Sequence, residues 1–167
     1  MFVLGIDPGL SRCGYGCVEA RGQKGTAVAV GVLRTPPAEP LPQRLAQLDA
    51  DVRALLADLK PDVVAVERLF FQVNARTAMA VGQASGLILA AAARAGAEVA
   101  QYTPNEVKQA VAGYGAAPKE QVQRMVQALL GLTSLPRPAD AADALALALC
   151  HIAIAPLRTR INSVVVK

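Results

Sequence analysis

Residues 2–7 read FVLGID, an apolar run that closes on a carboxylate and is followed at once by Pro8-Gly9. This is a strand ending in a turn. Working outward, residues 13–20 and 26–34 read as two further strands, joined by the polar hairpin Arg21-Gly22-Gln23-Lys24-Gly25. Pro36, Pro37, Pro40 and Pro42 mark a linker into a helix on which Leu41, Leu45, Leu48, Val52, Leu55, Leu56 and Leu59 share one face. Pro61 stops that helix, and residues 62–67, DVVAVE, make a valine-rich strand. A second helix runs from about Asn74 to Ala95 and ends at Gly96, and a short strand follows at 97–102. Helices then start near Pro104 and Pro118, where proline suits the first turn, and a last one starts near Ala139. Three antiparallel-looking strands followed by alternating helices and strands predict an α/β fold. Its sheet is mixed and five-stranded, with helices on both faces.

The composition suits one packed domain. The chain has 167 residues, 53% of them hydrophobic, with a mean hydropathy of +0.34, which argues against disorder. The expected domain covers residues 1–157, followed by a basic, loosely held tail at 158–167 that carries Arg158, Arg160 and Lys167. No apolar stretch reaches the ~20 residues of a membrane span. Met1 leads directly into a strand, with no basic leader, so the expectation is a soluble cytoplasmic protein. Cys13, Cys17 and Cys150 are an odd number, which fits free thiols in a reducing compartment. On a strand, four residues span ~13 Å, so Cys13 and Cys17 do not share a zinc ion, and they read as core thiols. The net charge of +4 permits nucleic acid as a partner without requiring it.

Against that basic total stands a set of acids at element ends. Asp7 and Glu67 close two apolar runs, and Asp140 and Asp143 open the helical stretch ADAADALALALCHIAI. A parallel sheet brings distant strand ends together, and a helix start can dock beside them. Such a site gathers carboxylates with no cysteine or histidine, the hard-oxygen surroundings that Mg²⁺ and Mn²⁺ prefer. Buried carboxylates repel one another unless a cation joins them, which points towards two-metal phosphodiester chemistry. Each acid also has an ordinary reading. An aspartate before Pro-Gly is often a turn residue, a glutamate at a strand end is often solvated, and aspartates commonly cap helices. The four together are harder to explain that way.

Lys108 and Lys119 flank the loop Gly113-Tyr114-Gly115, where they either grip phosphate or are simply solvated. Phe70 and Phe71 follow Glu67 beyond the strand end. Core packing is the default for such a pair, and stacking on bases the alternative. His151 lies eight residues past Asp143, ~12 Å along a helix, and reads as structural.

The segments GIDPGLSRCGYG, VAVERLFFQVNARTAMAVGQASG, TPNEVKQAVAGYGAAPKEQVQRMV and ADAADALALALCH span nearly the whole chain. Together they closely resemble the RuvC family of Holliday-junction resolvases. The resemblance implies an RNase H-like fold and a homodimer that makes paired nicks in a four-way DNA junction. It implies two Mg²⁺ ions per site, replaceable by Mn²⁺, held by Asp7, Glu67, Asp140 and Asp143. Some members carry histidine in place of Asp140, so its role is the least fixed. Lys119 would be catalytic and bind DNA, together with Lys108, Phe70, Asn74 and Arg76. Association with the RuvA–RuvB branch-migration complex is also implied. A related nuclease acting on RNA or other branched DNA, and a catalytically silent junction-binding module, remain as alternatives. The VKQAVAGYG…KEQVQRMV segment speaks against the first, and the four retained carboxylates against the second.

Overall fold

The structure is a computed structural model that describes residues 1–22, 24–68 and 75–165, without the side chains of 75–77 and 156–165. Its elements are β1 (Phe2–Asp7), β2 (Arg12–Arg21), β3 (Lys24–Arg34), α1 (Leu41–Leu59), β4 (Val63–Glu67) and α2 (Ala75–Arg94). After these come β5 (Glu98–Tyr102), α3 (Pro104–Ala112), α4 (Lys119–Leu130) and α5 (Ala139–Val165). The five strands form one sheet in the order β3-β2-β1-β4-β5. β1 pairs antiparallel with β2 and parallel with β4, and β4 pairs parallel with β5. The expected mixed sheet is therefore present, with β1 at its centre.

Strand alternation divides the core in two. Val3, Val63 and Ala65 face one side, where they meet α5, α3 and α4. Leu4, Ile6, Val64 and Val66 face the other and pack on α1 and α2 through Leu48, Val52, Ile88 and Ala92. The same alternation carries Asp7 and Glu67, two residues on from Gly5 and Ala65, to the α5 side. β1 and β4 run in register, Ile6 against Val66, so the two acids end neighbouring strands at the same level.

α5 is buried nearly all the way round. Ala141, Ala142, Ala144, Leu145, Ala146 and Ala148 are each no more than 1% exposed, between the sheet beneath and α3 and α4 above. Glycines make this seat possible. A Cβ on Gly5 would land on the carbonyl oxygen of Ala144, and one on Gly14 on the carbonyl oxygen of Asp140. Gly16, paired with Gly5 across β1 and β2, lies beneath Leu145, whose side chain a Cβ there would meet first. Three residues without side chains let a helix backbone approach the strands directly.

Several sequence expectations need adjustment. Leu41 is 40% exposed, because α1 meets the sheet only from its second turn, through Leu48, Val52 and Leu56. Pro104 sits in the first turn of α3 as expected, whereas Pro118 is extended and caps α4 from outside. The hairpin is tighter than five residues, since Arg21 already pairs with Lys24 and Gly22 turns the chain at φ 64°. The three cysteines are free and buried, as expected. Beyond residue 157, the backbone of α5 stays helical to Val165. Among the described residues, no helix is long and apolar enough to cross a membrane.

Candidate active site

The ends of β1 and β4 and the first turns of α5 meet at one edge of the sheet. Asp7 is largely desolvated there, and Glu67, Asp143 and Asp140 all raise its pKa by repulsion. Burial is the larger cause, and together they push the Asp7 carboxyl up to about 7. Glu67 is the acid that contributes most to the repulsion at Asp7. Two acids that repel each other this closely titrate as a pair. Glu67 is itself pushed above the usual range, first by burial. Lys119 and Lys108 act in the opposite direction.

The two helix-borne acids are held differently. Asp143 Oδ2 accepts a hydrogen bond from Lys119 Nζ at 2.6 Å. That bond is the main reason the Lys119 ammonium is stabilised and its pKa raised. Asp140 Oδ2 receives both Nε and Nη2 of Arg12, at 2.7 and 2.6 Å. Arg12 opens β2, a few residues after Asp7 across the Pro8-Gly9 turn. Sequence reasoning missed this arginine. Its only signal is its place in GLSRCGYG, one turn away from the first acid.

Beside the acids opens a pocket of about 330 Å³, lined by Glu67, Asp143, Lys108 and Lys119 among apolar residues of α3, α4 and α5. Lys108 owes its position to a well-set helix start. In α3, Thr103 Oγ1 accepts from the Glu106 amide at 3.1 Å, and the Thr103 amide donates to Glu106 Oε2 at 2.7 Å. This capping box fixes where α3 leaves β5, and Lys108 follows one turn later. At the end of β5, Tyr102 is fully buried, and its hydroxyl lies 2.9 Å from His151 Nδ1. His151 is therefore a buried structural residue, 4% exposed, as its spacing suggested.

The structure thus brings together Asp7, Glu67, Asp140, Asp143, Lys108 and Lys119. Phe70 and Asn74 lie outside the described residues, and Arg76 belongs to α2 without a described side chain. Among the described residues, no three His, Cys, Asp or Glu side chains are grouped closely enough to hold one metal ion. Asp140 and Asp143 are each engaged in an ion pair, with Arg12 and Lys119.

The family profile described as crossover junction endodeoxyribonuclease RuvC matches residues 3–151. The chain belongs to the RuvC family. A crossover junction endodeoxyribonuclease RuvC from Moorella thermoacetica is 59% identical over 160 residues, 96% of each chain. The structure described as T. thermophilus RuvC in complex with Holliday junction substrate superposes with a TM-score of 0.90 at 44% identity, covering 95% of this chain and 97% of that one. The yeast mitochondrial Holliday junction resolvase shares the fold, with a TM-score of 0.66 at 15% identity, over 96% of this chain and 83% of that one.

RuvC membership carries nuclease activity and dependence on a divalent metal with it. The donors here suit such an ion. They are all carboxylate oxygens, and the burial and repulsion that raise the Asp7 pKa are what a divalent cation would relieve.

Proposed function

We propose that this chain resolves four-way DNA junctions by hydrolysing one phosphodiester in each of two opposing strands. The observation that carries the reading is the meeting of Asp7, Glu67 and Asp143, from three separate elements, with Lys119 at the wall of one pocket. Asp7, Glu67 and Asp143 would hold two divalent ions, Mg²⁺ with Mn²⁺ able to replace it, and Asp140 would be a further ligand or orient the water. When bound, such ions make a coordinated water acidic and stabilise charge on the leaving oxygen.

The remaining steps fall to the chain's own groups. Lys119 exchanges its carboxylate partner for the scissile phosphate and stabilises the charge that develops there. Lys108, from the opposite wall, holds the same phosphate as a point charge. Apolar residues of α3, α4 and α5 line the rest of the pocket, and a drier site strengthens both lysines. The water oxygen ends on phosphorus as the P–O3′ bond breaks, leaving a 5′-phosphate and a 3′-hydroxyl. Phe70, Asn74 and Arg76, which follow Glu67 in sequence, are assigned to the DNA strands around the cut.

Paired nicks call for two centres, and the outward face of α2 suits a second copy of the chain. Met79 is 67% exposed there, and Cβ atoms on Gly82 and Gly86 would meet nothing within 4 Å. These residues are spaced three and four apart and so share one face. A two-fold interface is the commonest arrangement for soluble oligomers. Gly86→Arg is expected to yield folded monomers that no longer make paired nicks, which sedimentation and a two-strand cleavage assay would read. The function itself is tested with a synthetic four-way junction, a linear duplex and an RNA–DNA hybrid, each with and without Mg²⁺. Mg²⁺-dependent cutting of the junction alone is the expected result. Equal cutting of all three would refute the junction reading.

A further inference from the structure

Arg12 has no part in the mechanism above, yet it grips one of the four acids. Its Nε and Nη2 both reach Asp140 Oδ2, at 2.7 and 2.6 Å, a two-donor hold that a lysine cannot reproduce. The arrangement is anchored at both ends. Arg12 begins β2 directly after the Pro8-Gly9 turn that Asp7 opens, with its backbone paired to Arg34 of β3. Asp140 sits in the first turn of α5, where its backbone presses on Gly14, two residues beyond Arg12 on the same strand. The pair therefore spans the seam where α5 meets the sheet, the same seam on which the acidic centre lies.

A guanidinium and a divalent ion compete for a carboxylate oxygen. The Arg12 hold gives Asp140 a cationic partner before any metal arrives and engages its Oδ2 with two N–H donors. This agrees with the lack of a three-carboxylate group among the described residues. Resting on the metal-dependent reading above, we propose that Arg12 is a positioning residue that keeps Asp140 out of the metal shell in the DNA-free protein, and so weakens metal capture there. Its effect is bounded by the pair's exposure: the two side chains are 45% and 29% exposed. Partly solvated pairs of this kind shift affinities by less than tenfold.

The test is Mn²⁺ binding to the DNA-free, full-length protein, followed by calorimetry and by electron paramagnetic resonance. Four proteins are compared: wild type, Arg12→Gln, Asp140→Asn and the double variant. Circular dichroism and melting curves accompany each. Arg12→Gln is expected to bind Mn²⁺ about three- to fivefold more tightly than wild type. In the Asp140→Asn background the same change is expected to have no effect. A merely structural salt bridge predicts unchanged or weaker Mn²⁺ binding in Arg12→Gln, and either result overturns the proposal. A gain that persists with Asp140→Asn shows a general charge effect and overturns it as well. If Arg12→Gln does not fold, Arg12→Lys keeps the charge and loses the two-donor hold. Tighter Mn²⁺ binding by that variant supports the proposal, and wild-type affinity overturns it. Wild-type cleavage of the four-way junction is measured alongside. A wild type that neither cuts nor binds Mn²⁺ brings down the metal-dependent reading itself. One that does both, with no gain in Arg12→Gln, removes only the role of Arg12.

Discussion

The strand-borne acids and the helix-borne acids solve the same electrostatic problem in opposite ways. Asp7 and Glu67 are desolvated, and burial raises both pKa values, so their charged forms are disfavoured. Asp140 and Asp143 remain about a third exposed and are matched by Arg12 and Lys119. The first pair is bound to the sheet and has little choice of partner. The second stands on a helix end beside Arg12 and Lys119, partners it would trade under the proposed mechanism if metal or phosphate arrived. One half of the site is fixed and the other adjustable.

The largest break in this contrast comes from the fixed half. Asp7→Asn is expected to lower junction cleavage at least a thousandfold, about 4 kcal/mol of transition-state stabilisation, while binding to the junction is kept or slightly improved. Single-turnover cleavage and a gel-shift assay in Ca²⁺ would separate the two effects. Near-normal cutting would remove Asp7 from the metal site.

Next in size is a change that touches neither pair. Gly5→Ala places a methyl group against the Ala144 carbonyl and must lift α5 from the sheet. Roughly 3 kcal/mol of stability is expected to be lost, read as a drop in the urea midpoint. Activity should fall as well, because the helix carries Asp140 and Asp143 away from Asp7. Full activity at unchanged stability would mean that the glycine seat does not set the geometry of the site.

The smallest effect sharpens the contrast through pH. The folded pKa of Asp7, about 7, lies above its ordinary value of 3.8. Between those values the folded state binds more protons than the unfolded one. Its contribution to stability is therefore complete below about pH 4 and is lost as pH rises through 7. In chelator, the melting temperature of the wild type is expected to fall by roughly 5 °C more than that of Asp7→Asn between pH 5 and pH 8. Saturating Mg²⁺ should remove the difference, since an ion held by Asp7 would favour its ionised form. Parallel melting curves for the two proteins in chelator would contradict the raised Asp7 pKa.

Much of this was legible in the chain. FVLGID and DVVAVE are short apolar runs with an acid at the end, and strand alternation fixes which way Asp7 and Glu67 point once Val3 and Ala65 are known to be inside. The helix start at Asp140 and Asp143 was equally plain. What periodicity does not reveal is how α5 docks, because a helix that is apolar on every side gives no preferred face. The information lay in Gly5, Gly14 and Gly16, but a glycine in a strand reads as weakness until the helix above it is seen. The Arg12 and Lys119 pairs were hidden for a related reason. They join residues 128 and 24 positions apart, and only the completed fold makes them neighbours.

The burial of α5 on all sides has a consequence for how the enzyme fails. A lid or a surface helix can come away while the rest of the protein survives, and activity then disappears well below the melting temperature. Here the helix that carries half of the acids is also the central beam of the hydrophobic core. It cannot detach without exposing residues from Ala141 to Ile152 to water all at once. Heat inactivation and global denaturation should therefore be a single event, with full catalytic competence retained until the fold itself gives way.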